Sequence, residues 1–332
     1  MCLIAVSTLV LDANATLACP SPPPPLRDLN VPPFYEALRD PELAAISAAA
    51  MRPYNGYLSA VASQADLSLS APTPMARAGA GRCAAEWLAA WAEGQGWLGH
   101  MATRQSEYRR NWNLAGLAIV YLKIKPHVTS EQRALIEPWL DRIATVARNF
   151  FVVRRSHRRN NHWYWLGLGL AATGLATGNE RHWDEARRIM SDAAQDIRAD
   201  GTLPMELDRG PRALHYHAFS ATPLIMLAEL GAARGEDWYS LGNGALHRLV
   251  GLTVAGLRNP ALFTRLAGQP QVSPQNVPTL LMYHQRFPGR ISLEGVPKVP
   301  TQNRRLGGDV ALLRGLLATK RIAASTFASP RL

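Results

Sequence analysis

The sequence predicts an all-α chain whose helical hairpins stack or close into a toroid. Apolar residues recur at helical spacing from Cys83 to Trp97 and again from Tyr108 to Leu122. Helix-start and helix-stop residues bracket the segments that follow, and strand signals are scarce. The helices arrive as pairs with short turns, one pair per roughly 40 to 50 residues, the spacing of a helical-hairpin array.

Taken in order, residues 1–18 read as a signal-like segment. The apolar stretch Leu3 to Leu11 is too short to span a bilayer, small residues at 15–18 suit cleavage, and a basic leading segment is missing. Of three cysteines, export would leave Cys19 and Cys83, which either pair in an oxidising compartment or stay unrelated thiols. A Pro-rich lead-in at 19–33 is neither helix nor central strand and reads as extended. PELAAISAAAM, from Pro41, is a short helix; RPYNGY (Arg52 to Tyr57) interrupts it, and Ser68 to Arg82 is a flexible loop by its Pro, Gly and Ala content.

After the two periodic helices, Thr129 and Gln132 form a capping box ahead of ALIEPWLDRIATVARNFF. WYWLGLGLAATGLATGN is the next helix, stopped by Gly178-Asn179, and HWDEARRIMSDAAQDIRADG is stopped by Gly201. Pro211 is placed as the first helical residue of RALHYHAFSATPLIMLAELGAA. Asn243 caps a last clear helix reaching Leu257. From Asn259 onward helix signals fade into loops with a short hairpin. No interior linker divides residues 19–332, so a single domain is expected.

The chain carries 36 Lys+Arg against 25 Asp+Glu, a formal charge of +11 dominated by arginine. That balance attracts polyanions: nucleic acid, an anionic membrane or an acidic polysaccharide. With 47% hydrophobic residues a substantial core is expected. No His-x-x-x-His with a carboxylate partner and no paired Cys-x-x-Cys is present, so neither metal nor cofactor is expected. The glycines of LGLGLAATG lie inside a helix, where they serve close helix packing rather than a dinucleotide.

Two segments hold polar groups at helix entrances. In RRNNHWYW (158–165), Asn160 caps a helix whose first turn holds Asn161 and His162, where backbone amides and the positive helix end favour an anion. In DRGPRALHYH, Arg209 precedes a Gly-Pro helix start, with Tyr216 in the opening turns. Each residue alone has an ordinary structural use: a cap, a satisfied histidine, a solvated arginine, a buried ring. The basic run Arg154 to Arg159 reads alone as a solvated face. Together, Asn and Arg can grip a carboxylate while Tyr and His exchange a proton, which is what removing a proton alpha to a carboxylate requires. Neutralising that carboxylate stabilises the enolate-like transition state, and a tyrosinate beside Arg209 and His162 would have a lowered pKa.

RRNNHWYW, ELDRGPRALHYH, RCAAEWLAAWAEG and RRLGGDV, in that family's order over most of the chain, resemble the bacterial alginate lyases of the mannuronate-specific polysaccharide lyase family. The resemblance implies an incomplete α/α toroid with a deep cleft, a periplasmic or secreted location, no metal, and β-elimination on polymannuronate. Carried over, it implies that Asn161 and Arg209 neutralise the C5 carboxylate. Tyr216 is then base and acid, and His162 assists or serves as base for the other C5 configuration. Tyr108, Arg110, His215 and Arg305 fall in segments resembling the family's cleft lining, and Trp165 is the aromatic that would stack on a sugar. A lid over the substrate would span 52–82, with Arg52 and Tyr54 as its contacts.

In D-mannuronate the C5 proton and the C4 oxygen leave from one face, so one side chain can serve both steps. D-glucuronate differs only at C2, which leaves a broader polyuronate range open. The expected partner is an anionic polysaccharide, with no nucleic acid, no membrane and a monomeric state. Two rivals stand beside the enzyme: a non-catalytic polyanion binder, which would be expected to lack one of Asn161, His162, Arg209 and Tyr216, and a nucleic-acid binder, which explains the charge and not that set of four.

Overall fold

The computed structural model describes residues 19–153, 159–274, 276–298 and 300–327. The signal-like segment 1–18 and residues 154–158 of the basic run lie outside them. The helices are α1 (Phe34–Ala37), α2 (Pro41–Ser70), α3 (Pro74–Glu93), α4 (Arg104–Ile124), α5 (Ser130–Val153), α6 (Asn161–Thr177), α7 (Glu180–Asp196), α8 (Pro204–Leu207), α9 (Ala213–Ala233), α10 (Leu241–Arg258), α11 (Ala261–Ala267), α12 (Leu280–Arg286) and α13 (Val310–Phe327). Two short antiparallel strands, β1 (Gln302–Asn303) and β2 (Gly308–Asp309), make a hairpin.

Helices alternate between two layers. α2, α4, α6 and α9 each pack on the next and form an inner ring, with α3, α5, α7 and α10 outside it. Burial follows from this placement: α4, α6 and α9 are enclosed on almost every side, whereas α7 buries one stripe, including Trp183, Ala186, Ile189, Met190 and Ala193. α13 bridges α9 back to α2, and β2 rests on α2, so the C-terminal segment closes the ring. The architecture is an α/α toroid with a cleft at the end where α6 and α9 begin. Among the described residues no helix is long and apolar enough to cross a membrane.

Local signals account for many helix ends. The capping box forms, with Gln132 N donating to Thr129 Oγ1 (3.3 Å) and Thr129 N to Gln132 Oε1 (3.1 Å). Gly178 ends α6 in left-handed backbone at φ 77°. Asn243 does not cap α10 by its side chain; Gly242, Asn243 and Gly244 are all left-handed inside that helix's first turn. The fading after Asn259 is also incomplete, since α11, α12 and α13 lie beyond it.

The expected break and loop over 52–82 are absent: α2 is continuous to Ser70, and only residues 71–73 separate it from α3. The reason is tertiary. Tyr54, Tyr57, Leu58, Val61, Ala62 and Ala65 continue one buried helical stripe straight through RPYNGY. Tyr57 stacks on Trp91 with centroids 3.6 Å apart, and Tyr54 packs on Trp97 at 4.2 Å. Burying two such rings, at about 1.5–3 kcal/mol each, outweighs the single hydrogen bond that Pro53 forfeits. Gly81, in the supposed loop, is a packing glycine, because a Cβ there would collide with the His127 ring.

The lead-in is extended and firmly attached. Cys19 is disulfide-bonded to Cys83 on α3. Trp87 Nε1 donates to Pro20 O (2.7 Å) and Trp91 Nε1 to Pro23 O (3.0 Å), so the indoles supply donors to a Pro-rich stretch that has few of its own. Leu29 N reaches His100 O, and Thr103 Oγ1 reaches Val31 O, which delivers Pro33 and α1 to the cleft. The disulfide closes a loop of 64 residues, so its removal should release about 2–4 kcal/mol of stability. Urea unfolding with and without reductant, and of a Cys19→Ser/Cys83→Ser variant, reads this; an unchanged midpoint would contradict it.

Candidate active site

The cleft has a volume of about 850 Å³ and is lined by Tyr35, Arg104, Gln105, Tyr108, Arg109, Trp112, His162, Arg209, Arg212, His215, Tyr216, Phe219 and Arg305, among others. Its centre is built where α6 starts. Asn160 caps that helix, its side chain accepting from His162 N (3.1 Å). Asn161 is then turned inward and fully buried, and both its backbone N (2.6 Å) and its Nδ2 (2.9 Å) donate to Glu206 Oε1. Glu206 on α8 is itself fully buried, and its other oxygen lies 3.5 Å from Arg209 Nε. One carboxylate thus ties the asparagine to the arginine. Burial raises the Glu206 pKa, opposed by Arg209 and the Asn161 donors.

Arg209 reaches upward from this pair. Its guanidinium lies 5.0 Å from the Tyr216 ring centre, and its Nη1 donates to the Tyr35 hydroxyl (3.4 Å). The Tyr35 hydroxyl in turn donates to the Tyr216 hydroxyl (3.3 Å). The lowered Tyr216 pKa expected from the sequence is overturned here. Burial and the contact with Tyr35 push the phenol well above its ordinary value, and the nearby Arg209 charge only partly offsets them. Tyr216 rests as a neutral phenol.

His162 stacks on Tyr108 with centroids 3.6 Å apart, and Trp112 lies parallel beneath at 5.6 Å. Over Trp112 stand two arginines, Arg305 at 4.8 Å and Arg109 at 5.3 Å. Burial and the neighbouring guanidiniums lower Arg305 to about 9 and Arg109 to about 10, so both stay protonated at neutral pH. Among the described residues no carboxylate pairs with Arg109, Arg304 or Arg305. His215 lies in the wall, its Nδ1 3.3 Å from Ser273 O, with a pKa lowered by burial.

Of the residues singled out from sequence, His162, Arg209, Tyr216, Tyr108, His215 and Arg305 line the cleft, with Asn161 directly beneath. Four do not belong there. Tyr54 is a core ring whose hydroxyl donates to Asp28 O (2.6 Å). Arg110 is buried, donating to Trp97 O (3.2 Å) and paired with Glu107. Trp165 is buried against Phe219 at 5.3 Å. Arg52 is exposed on α2, away from the cleft lining. Arg109 is the arginine that faces the cleft, and helical spacing contains that answer: 105, 108, 109 and 112 share a face, and 110 does not. Tyr35 and Glu206 had no such signal, although Glu206 stands one helical turn before Arg209. Among the described residues no three His, Cys, Asp or Glu side chains gather as a metal site would need.

The sequence profile of the alginate lyase family matches residues 46–263. A polysaccharide lyase of Stenotrophomonas maltophilia is 37% identical over 94% of this chain and 95% of its own. An alginate lyase of Azotobacter vinelandii is 32% identical over 70% of this chain and 66% of its own. Among solved structures, alginate lyase A1-III complexed with a tetrasaccharide, in a tyrosine-to-phenylalanine form, superposes with a TM-score of 0.75 over 89% of this chain and 85% of its own, at 24% identity.

The turn that carries Glu206 is held by a buried imidazole. His217 Nε2 accepts from Leu203 N (2.9 Å) and its Nδ1 donates to Ala213 O (2.7 Å), which requires the neutral ring. Burial pushes its pKa down from 6.5 to about 4. As pH falls below 6.5 the unfolded imidazole takes up a proton that the folded one refuses until about pH 4, so native stability drains across that window. Stability should fall by about 2 kcal/mol between pH 7.5 and pH 5 from this group. A His217→Gln variant should lack that part of the slope; identical slopes in urea titrations would contradict it.

Proposed function

The chain belongs to the alginate lyase family, and on that premise we propose that it cleaves poly-β-D-mannuronate by β-elimination, leaving an unsaturated uronate end. The observation that carries the reading is the continuous chain Asn161–Glu206–Arg209–Tyr35–Tyr216 at the floor of a cleft lined with arginine. A uronate carboxylate entering beside Arg209 and Asn161 would be neutralised there, which lowers the barrier to losing the C5 proton. Tyr216, resting neutral, takes that proton on its oxygen as it passes its own hydroxyl proton to the departing C4 oxygen. The C5–H and C4–O bonds break, the C4=C5 bond forms, and the phenol ends as it began, so no free tyrosinate accumulates. His162, fixed by Tyr108 and the Trp112 ring, assists, and is the base for a substrate of opposite C5 configuration.

The second arginine group supports an extended binding site. Arg305 and Arg109 on Trp112 would receive the carboxylate of a neighbouring sugar, with Tyr108 and His215 contacting its ring. A uronate polymer repeats its carboxylate at each residue, so it matches several cation sites in one cleft. The disulfide supports a periplasmic or secreted location, since such bonds persist in oxidising compartments. A broader polyuronate range is the second reading, favoured by the relative matched over nearly the whole chain being a polysaccharide lyase by name.

A panel of mannuronan, guluronan, glucuronan, hyaluronan and polygalacturonate, followed by ultraviolet absorbance of the unsaturated product, tests both readings. Mannuronan should be cleaved fastest. Binding without absorbance would mean a polyanion-binding protein, and salt-sensitive DNA binding without uronate binding a nucleic-acid protein. Tyr216→Phe should lower kcat by about 10²–10⁴-fold with oligomer binding kept; retained turnover removes Tyr216 as the proton carrier. Glu206→Gln should lower kcat by about tenfold or more, because it takes the charged partner from Arg209 and puts an amide N–H2 in its place, while the amide oxygen still accepts from Asn161. Wild-type kcat in that variant would contradict the anchoring role.

A further inference from the structure

The cleft arginines repel one another, so something must hold their backbone in place. We propose that the buried Asp66–Lys123 pair is the positioning device for Arg305, pinning the β1–β2 hairpin whose tip carries that residue. The proposal rests on the polyuronate reading of the cleft.

Lys123 on α4 and Asp66 on α2 are both buried, 2.5 Å apart. The ammonium also donates to Gly307 O (2.8 Å) and Asp309 O (3.1 Å), which uses its three protons. The second Asp66 oxygen accepts from Asp309 N (2.8 Å) and Gln302 Nε2 (3.1 Å). Both strands of the hairpin, and the end of the Arg304–Leu306 turn between them, are therefore tied to one ion pair. The fit leaves no slack. Gly308 sits at φ 102°, and a Cβ there would run into the Asp66 carboxylate, while a Cβ on Gly116 would strike Arg304 O. Arg304 Nε adds a bond to Asn55 Oδ1 (3.0 Å).

A buried ion pair is a poor source of stability, since apolar replacements of the same shape are often as stable. A positional use accounts better for this one. The pair lies outside the cleft lining, yet its bonds fix the backbone on either side of Arg305, whose guanidinium then lies over Trp112. Asp66 and Lys123 act through Arg305 and touch no substrate.

Calorimetric binding of a mannuronate tetramer, with kcat and KM on mannuronan, tests this in wild type, Gly308→Ala, Arg305→Gln and the double variant. Gly308→Ala pushes the hairpin away from the Asp66 carboxylate without removing either charged side chain of the pair. Each single variant should weaken binding about tenfold, mainly in Kd and KM. The double should be no more than about twofold worse than either single, because both remove one contact. Gln302→Leu, at an exposed side chain, should weaken binding in the same direction by a few-fold and serves if Gly308→Ala does not fold. Wild-type binding in the folded hairpin variants, effects that multiply in the double, or an Arg305→Gln variant that binds normally would each overturn the proposal alone. A wild-type protein that binds no polyuronate would instead overturn the cleft reading and this proposal with it.

Discussion

A carboxylate cut off from water organises this molecule's working end. Glu206 is fully buried, and burial raises its pKa, so its charge is favoured there only by strong partners. Its partners are Asn161, by two donors, and Arg209, by charge. Those residues come from the start of α6 and the turn before α9, so the one interaction sets how two inner-ring helices meet. The supporting parts follow from it: the Asn160 cap that turns Asn161 inward, and the neutral His217 that holds the turn before α8.

Above that anchored floor the cleft has the opposite character. Arg305 and Arg109 stand over Trp112, with Arg304 near enough to depress both, and none has a protein carboxylate to neutralise it among the described residues. Uncompensated cations in a concave, partly dry site attract an anion from solution and bind it more strongly than a flat surface would. Tyr216 beside them stays a phenol because burial outweighs the Arg209 charge. That arrangement fits the proposed reaction, in which the substrate brings the negative charge and the neutral tyrosine would move protons without carrying a charge of its own.

The sequence made the helix entrances legible because capping chemistry is local: Asn160 before His162, Thr129 with Gln132, Gly178 at a helix end. It made most of the cleft legible because His162, Arg209 and Tyr216 stand at or near such entrances. Several of the errors come from packing between distant segments. RPYNGY looks like a break until Trp91 and Trp97 are placed against Tyr57 and Tyr54. Arg110 and Trp165 have cleft-like chemistry and core-facing positions. Tyr35 arrives through a lead-in strapped to Trp87 and Trp91, and nothing near Tyr35 in the chain announces Tyr216 as its neighbour.

The proposed chemistry depends on the sugar carboxylate at the cleavage point being met jointly by Arg209 and Asn161. A crystal structure of the Tyr216→Phe protein with a mannuronate tetramer would locate that carboxylate. One carboxylate should lie within about 3 Å of donors from both side chains, and a second one at Arg305 and Arg109. A tetramer whose carboxylates all lie on Arg305 and Arg109, with none at Arg209 and Asn161, would contradict it.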